Sequence, residues 1–276
     1  MTHKKSLKWL SLAACLGSSL TFAPAAFAAD TWNWNVSGCS LSSGTSSGMG
    51  NAYGCTSTVG GKTATITAWS TTGYNGSGSD FDKASLRRYA SNTEFGVVND
   101  TGETSTDSQH AIDNKNHTDA VLIQFSGSVE LNGLNLGWMY NDSDISILRY
   151  VGNGDASAAL LGKTAAQIKT DMDNGGDGWD LVANKFNVGT SAAATFNNAN
   201  AVGSNESSSW WLITAYNQTI GTTTADSKLD YFKLFSFAAA SKTQTPGTGV
   251  PEPATLTLAA AALGAIGWVR RRRDQA

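Results

Sequence analysis

The densest ligand chemistry in the sequence is a ten-residue run, DMDNGGDGWD, which places Asp171, Asp173, Asn174, Asp177 and Asp180 close together. Calcium takes six to eight oxygens, and interleaved glycines let a loop wrap tightly enough to supply them. Asp171, Asp173, Asp177 and Asp180 are therefore the expected calcium ligands, with a solvated acidic turn as the alternative. The run is not an EF-hand, because the twelfth position from Asp171 is Val182 where a glutamate is needed.

Other candidates for chemistry are weaker. Gly44-Thr45-Ser46-Ser47-Gly48 spells G-x-S-x-G. A nucleophile elbow needs a strand before the serine and a helix after it, whereas this pentapeptide sits in a Ser/Gly loop. Apart from His3, the histidines are His110 and His117, in DSQHAIDNKNHTD, at a spacing that matches no standard zinc motif. Glu94, Glu103, Glu130 and Glu206 lie in no motif for glycoside hydrolysis. No catalytic constellation is expected, and the protein is read as a non-enzyme. Trp32, Trp34, Trp69, Trp138, Trp179, Trp210 and Trp211 supply either core or a sugar-stacking face. Because adjacent strand residues face opposite ways, one ring of the Trp210-Trp211 pair can point outward and bind a ligand.

The end of the chain is more specific. Pro251, Glu252 and Pro253 precede an uncharged apolar run from Ala254 to Val269, followed by Arg270, Arg271, Arg272 and Arg273. As a helix the run is about 24 Å long, short for a hydrocarbon core of about 30 Å, with Trp268 and snorkelling arginines extending its reach. The positive-inside rule keeps the arginines cytoplasmic and puts everything before them outside. This order resembles the PEP-CTERM sorting signal over residues 250–276. The resemblance implies that exosortase reads Pro251, Glu252 and Pro253, and that the protein reaches the surface or extracellular matrix of a Gram-negative, exopolysaccharide-producing bacterium. It also implies a membrane-held precursor.

The start agrees with that destination. Lys4, Lys5 and Lys8 are followed by an apolar stretch and by Ala26-Phe27-Ala28, an A-x-A cleavage site that makes residues 1–28 a signal peptide and Ala29 the new N-terminus. Cys39 and Cys55 then remain as an even pair in an oxidising compartment, and a disulfide is expected. The two ends hold 7 of the 19 basic residues and only 2 of the 22 acidic ones, so the remainder has net charge −8. Nucleic acid is excluded as a partner, since it requires a basic footprint.

Between these ends lie about 220 residues, enough for one domain. Alternating or β-branched runs predict strands at Trp32–Val36, Thr63–Ser70, Ala120–Phe125, Val129–Trp138, Ile145–Val151, Trp179–Phe186, Ser209–Tyr216 and Leu229–Phe237. Asn132-Gly133 breaks alternation and predicts a bulge or tight turn. Thr164-Ala165-Ala166-Gln167 reads as a capping box opening the one short helix. The fold expected is mainly β, a single jelly-roll-like β-sandwich over residues 29–237, with a linker at 238–249. The segment from His110 to Tyr150 resembles many PEP-CTERM surface proteins through His-Ala-Ile-Asp-Asn, Gly137-Trp138 and Asp142-Ser143-Asp144; no chemistry attaches to that likeness. The expected role is structural or adhesive, associated with exopolysaccharide. A carbohydrate-binding module that retains exopolysaccharide is the alternative, and a secreted hydrolase is a more distant one.

Overall fold

A computed structural model describes residues 30–71, 80–99, 103, 110–174, 178–196, 206–221, 226 and 228–241. The expected signal peptide with Ala26, Ala28 and Ala29, the sorting segment from 250 to 276, and Asp177 all lie outside these residues. The chain divides into two compact units, Ala28–Thr245 and a second made of Met1–Phe27 with Pro246–Ala276. Everything described belongs to the first.

Strand β1 (Thr31–Asn35) leads through a 3-10 turn, Val36–Gly38, into β2 (Cys39–Ser43) and β3 (Ala52–Thr56). β4 (Thr63–Thr71), β5 (Phe81–Tyr89), β6 (Glu94–Val98) and the short β7 (Ile112–Asp113) follow. The longest element among the described residues is β8 (Asp119–Met139). β9 (Ile145–Tyr150), α1 (Ala156–Leu160), α2 (Ala165–Asp173), β10 (Trp179–Lys185), β11 (Ala194–Thr195), β12 (Ser208–Ala215), α3 (Gln218–Gly221) and β13 (Tyr231–Ala240) complete the order.

The mainly β class is as expected, but the strands form one continuous network. The first part of β8 pairs with β4 on one edge and β12 on the other, while its second part pairs with β13. β5 likewise starts on β4 and finishes on β6, which meets β13 at Leu234 and Phe95. The circuit β8–β4–β5–β6–β13–β8 closes into a barrel-like arrangement. Strands that bend from one layer into the next make such corners, so the network differs from the two separate sheets expected of a jelly roll. Two stretches read as separate strands, Ala120–Phe125 and Val129–Trp138, are this one strand. Its ladder shifts register at Asn132, where Gly133 faces Ala238 and Leu131 faces Ala239, as a bulge at Asn132-Gly133 requires.

The placement of β8 explains why Ala120–Ile123 is apolar without interruption. Val121, Ile123 and Phe125 face an interior cluster with Trp34, Phe95, Trp211, Phe232 and Phe237. Ala120 and Leu122 face a second cluster with Trp69, Phe81, Trp179 and Leu212, covered by Leu160, Ile168 and Ile220 from the three helices. Both faces are buried, so alternation of polar residues has no use there. Among the described residues three short α-helices thus stand where one was expected. α2 is the one read from sequence, and its capping box is complete: Gln167 N donates to Thr164 Oγ1 at 3.1 Å, and Thr164 N donates to Gln167 Oε1 at 2.8 Å. At the C-terminal end β13 continues to Ala240 on β1, three residues into the stretch expected to be linker.

Candidate functional site

Three of the four expected calcium ligands are described, and each is paired with a cationic side chain; Asp177 lies outside the described residues. Asp171 pairs with Lys163 at 2.5 Å, Asp173 pairs with Lys169, and Asp180 pairs with Arg149 at 2.8 Å. Asp171 and Asp173 sit on α2 and Asp180 on β10, so local spacing in the sequence became separation by a change of element. Among the described residues, none of these three belongs to a trio of acidic oxygens close enough to share an ion.

Two other acidic trios are assembled by the fold. In the first, Asp142 and Asp144, between β8 and β9, meet Asp230 at the start of β13, and all three are buried. Their oxygens serve as backbone acceptors. Asp230 Oδ1 accepts from Asp144 N at 2.6 Å, and Oδ2 from the Asn114 amide at 2.5 Å. Asp144 Oδ1 accepts from Asn187 N, and Asp142 Oδ1 from Ser143 N. Lys228 stands 3.5 Å from Asp142. Burial pushes the Asp230 carboxyl up to about 7, helped by the neighbouring Asp144 and Asp142 charges and opposed by its hydrogen bonds. Asp144 is raised too, again chiefly by burial. This trio is a knot that ties the β8–β9 connection to β13.

The second trio is Glu103, Asp113 and Asp119, with Asp113 on β7 and Asp119 opening β8. Asn114, which donates to Asp230 of the first trio, directly follows Asp113 of the second, so the His110–Asn114 run feeds both. His117 Nδ1 is 2.8 Å from the Thr71 carbonyl, and His110 Nδ1 is 3.8 Å from Glu103. No spacing rule would have linked Asp142 to Asp230 or Glu103 to Asp119; the signal was the run of short-range aspartates around His110–Asp144, and it was legible only as composition.

The Gly-Trp dipeptide has a separate job. A Cβ on Gly137 would collide with the Glu94 carboxylate, and Trp138 lies over the buried Lys233, whose ammonium is 4.9 Å from the Trp138 ring and 4.1 Å from the Tyr89 ring. Gly44–Gly48 follows β2 and leads to β3, with no helix after the serine, so no nucleophile elbow exists.

The tryptophan pair is split by the strand. Trp211 is fully buried in the interior cluster, and its indole N–H donates to the Ser208 carbonyl at 3.0 Å. It cannot present a ring to a ligand. Trp210 is half-buried on the opposite face and lines a cavity of about 450 Å³. Its cross-strand neighbour is Gln124, whose own neighbour across the next ladder is Thr65. Thr67 lies two residues along, and Asp155 and Ser157 of the α1 turn form the far wall. An indole beside an amide, hydroxyls and a carboxylate combines apolar contact with convergent hydrogen bonding.

Among the described residues no helix is long and apolar enough to cross a membrane; the apolar run 254–269 lies outside them. Comparison with known proteins found no match among curated proteins or solved structures. Residues 249–273 match the PEP-CTERM protein-sorting motif. The chain therefore carries at its C-terminus the sorting signal of an exosortase-targeted protein, exported to the envelope or surface of a Gram-negative bacterium.

Proposed function

We propose that this protein is a non-enzymatic component of the cell surface or extracellular matrix, delivered by exosortase and acting in a structural or adhesive role with exopolysaccharide. The sorting motif at residues 249–273 carries the reading. The precursor is held by the apolar run, with Arg270 to Arg273 inside, until cleavage near Pro251-Glu252-Pro253 releases the barrel-like domain. The intact mass of the protein recovered from its host tests this. A chain ending near Pro251, lost when the exosortase is deleted, is the expected result. A mass that still includes the arginine cluster would make the protein a membrane-held periplasmic one.

The Trp210 cavity favours a second reading, in which the domain itself holds polysaccharide. A pyranose ring offers an apolar face to stack on an indole and hydroxyls to meet Gln124, Thr65 and Ser157. Trp210→Ala is expected to weaken retention on the host exopolysaccharide about tenfold while leaving the melting temperature nearly unchanged. Equal retention of wild type and variant in affinity electrophoresis would remove the cavity from consideration.

A further inference from the structure

Asp119 is the side chain that the fold treats most oddly. It is 1 % exposed at the first position of β8, and its Oδ1 has no hydrogen-bond partner. The Ser70 hydroxyl and the Asp113 amide bond the carboxylate, so both fall on the other oxygen. An acidic oxygen buried without a partner is costly. Two more carboxylates, Asp113 and Glu103, come within 4.8 Å of Asp119, oxygen to oxygen. Calcium binds oxygens at about 2.4 Å, so groups up to twice that distance apart can share one ion. Three acidic oxygens with one left open make a set of hard donors, with no sulfur to favour a softer metal.

We propose that Glu103, Asp113 and Asp119 hold a calcium ion. Glu103 and Asp113 accept from the amides of Asn99 and Lys115, and the first trio from those of Ser143, Asp144 and Asn187 and from the Asn114 side chain; it differs in having no buried oxygen like Asp119 Oδ1. The ion would fasten β7 and the start of β8 to the segment containing Glu103. The proposal stands apart from sorting and from polysaccharide binding, and its failure would touch neither.

The test is melting of the exported, processed protein in chelator and then with calcium at about 10 mM, alongside calorimetric titration with calcium, magnesium and zinc. Extracellular calcium sites bind at about 0.1–1 mM, so a rise of about 3–10 °C is expected for the wild type. Asp119→Asn should abolish the shift, and Asp230→Asn, in the other trio, should retain it. Asp113→Asn serves if Asp119→Asn does not fold. No calcium shift, with Asp119→Asn as stable as wild type, would mean that Asp119 simply keeps its proton. A shift kept by Asp119→Asn and lost in Asp230→Asn would move the ion to the first trio. Either outcome overturns the assignment.

Discussion

Trp34→Ala is expected to cost about 3–5 kcal/mol of folding stability, the usual range for deleting a large buried aromatic side chain. Trp34 is fully buried on β1 and sits against two rings at once: its indole stacks on Phe237 at 5.2 Å and tilts onto Phe125 at 4.9 Å. Those partners belong to β13 and to the first part of β8, so one side chain fills the place where the first strand, the last strand and the longest strand meet. Its N–H donates to the Lys62 carbonyl at 3.0 Å, but that oxygen also accepts from Ser57 N at 2.8 Å, so truncation strands no acceptor and the cost is that of the cavity. For a domain of this size the loss is a fall of roughly 10 °C in melting temperature. Differential scanning calorimetry of Trp34→Ala beside Trp210→Ala makes the comparison internal: the buried ring should matter greatly and the cavity ring little. A drop under about 2 °C for Trp34→Ala would mean that β1 is not part of the cooperative unit.

The second large effect belongs to the crosslink. Cys39 and Cys55 face each other directly across the β2–β3 ladder and form a disulfide, 16 residues apart in sequence. Removing a loop of that length from the constraints on the unfolded chain costs about 3 kcal/mol in the chain-entropy treatment. The double variant Cys39→Ala with Cys55→Ala isolates this, since both side chains are buried and alanine strands no polar group. The folded hairpin should survive locally. Arg88 donates to the carbonyls of Cys39 and Val36 at 3.1 and 3.2 Å, holding the turn before β2 whether or not the sulfurs are joined. The expected result is a lower urea midpoint with a denaturant slope equal to or slightly above that of the wild type, since the uncrosslinked unfolded chain exposes more surface. An unchanged midpoint would show that the unfolded chain already keeps this loop short.

Local features of the fold were legible in the sequence, and long-range ones were not. Thr164 and Gln167 announced α2 because a capping box is a contract between residues three apart. Cys39 and Cys55 could be paired by arithmetic, and Asn132-Gly133 marked its bulge because a break in alternation is visible within one strand. The joining of Ala120–Phe125 to Val129–Trp138 was hidden, since Ser126-Gly127-Ser128 looks like a turn, yet the strand runs through it between the ladder pairs at Phe125 and Val129. The acidic chemistry misled for the same reason. Asp171, Asp173 and Asp180 are near in sequence, but each finds a different cation, while Asp119 and Asp113 gain their meaning from β7 lying against β13. Trp210 and Trp211 were separable in principle by strand period, yet only the structure tells which face of β12 is covered.

The chain enters and leaves the domain at one place. Thr31 faces Ala240, and Asp30 and Ser241 exchange hydrogen bonds at 2.9 and 2.8 Å. This has a mechanical meaning. Pulling residues 30 and 241 apart would unzip β1 from β13 one rung at a time, at low force. A load between residue 241 and β12 reaches β8 on the Gln124 side of Glu130, and Glu130 faces Ala240, so it too would open the eight-pair ladder between β13 and β8 from that end. Both ladders of β13 thus end at Ala240, and tension entering through residue 241 would meet each of them at its first rung.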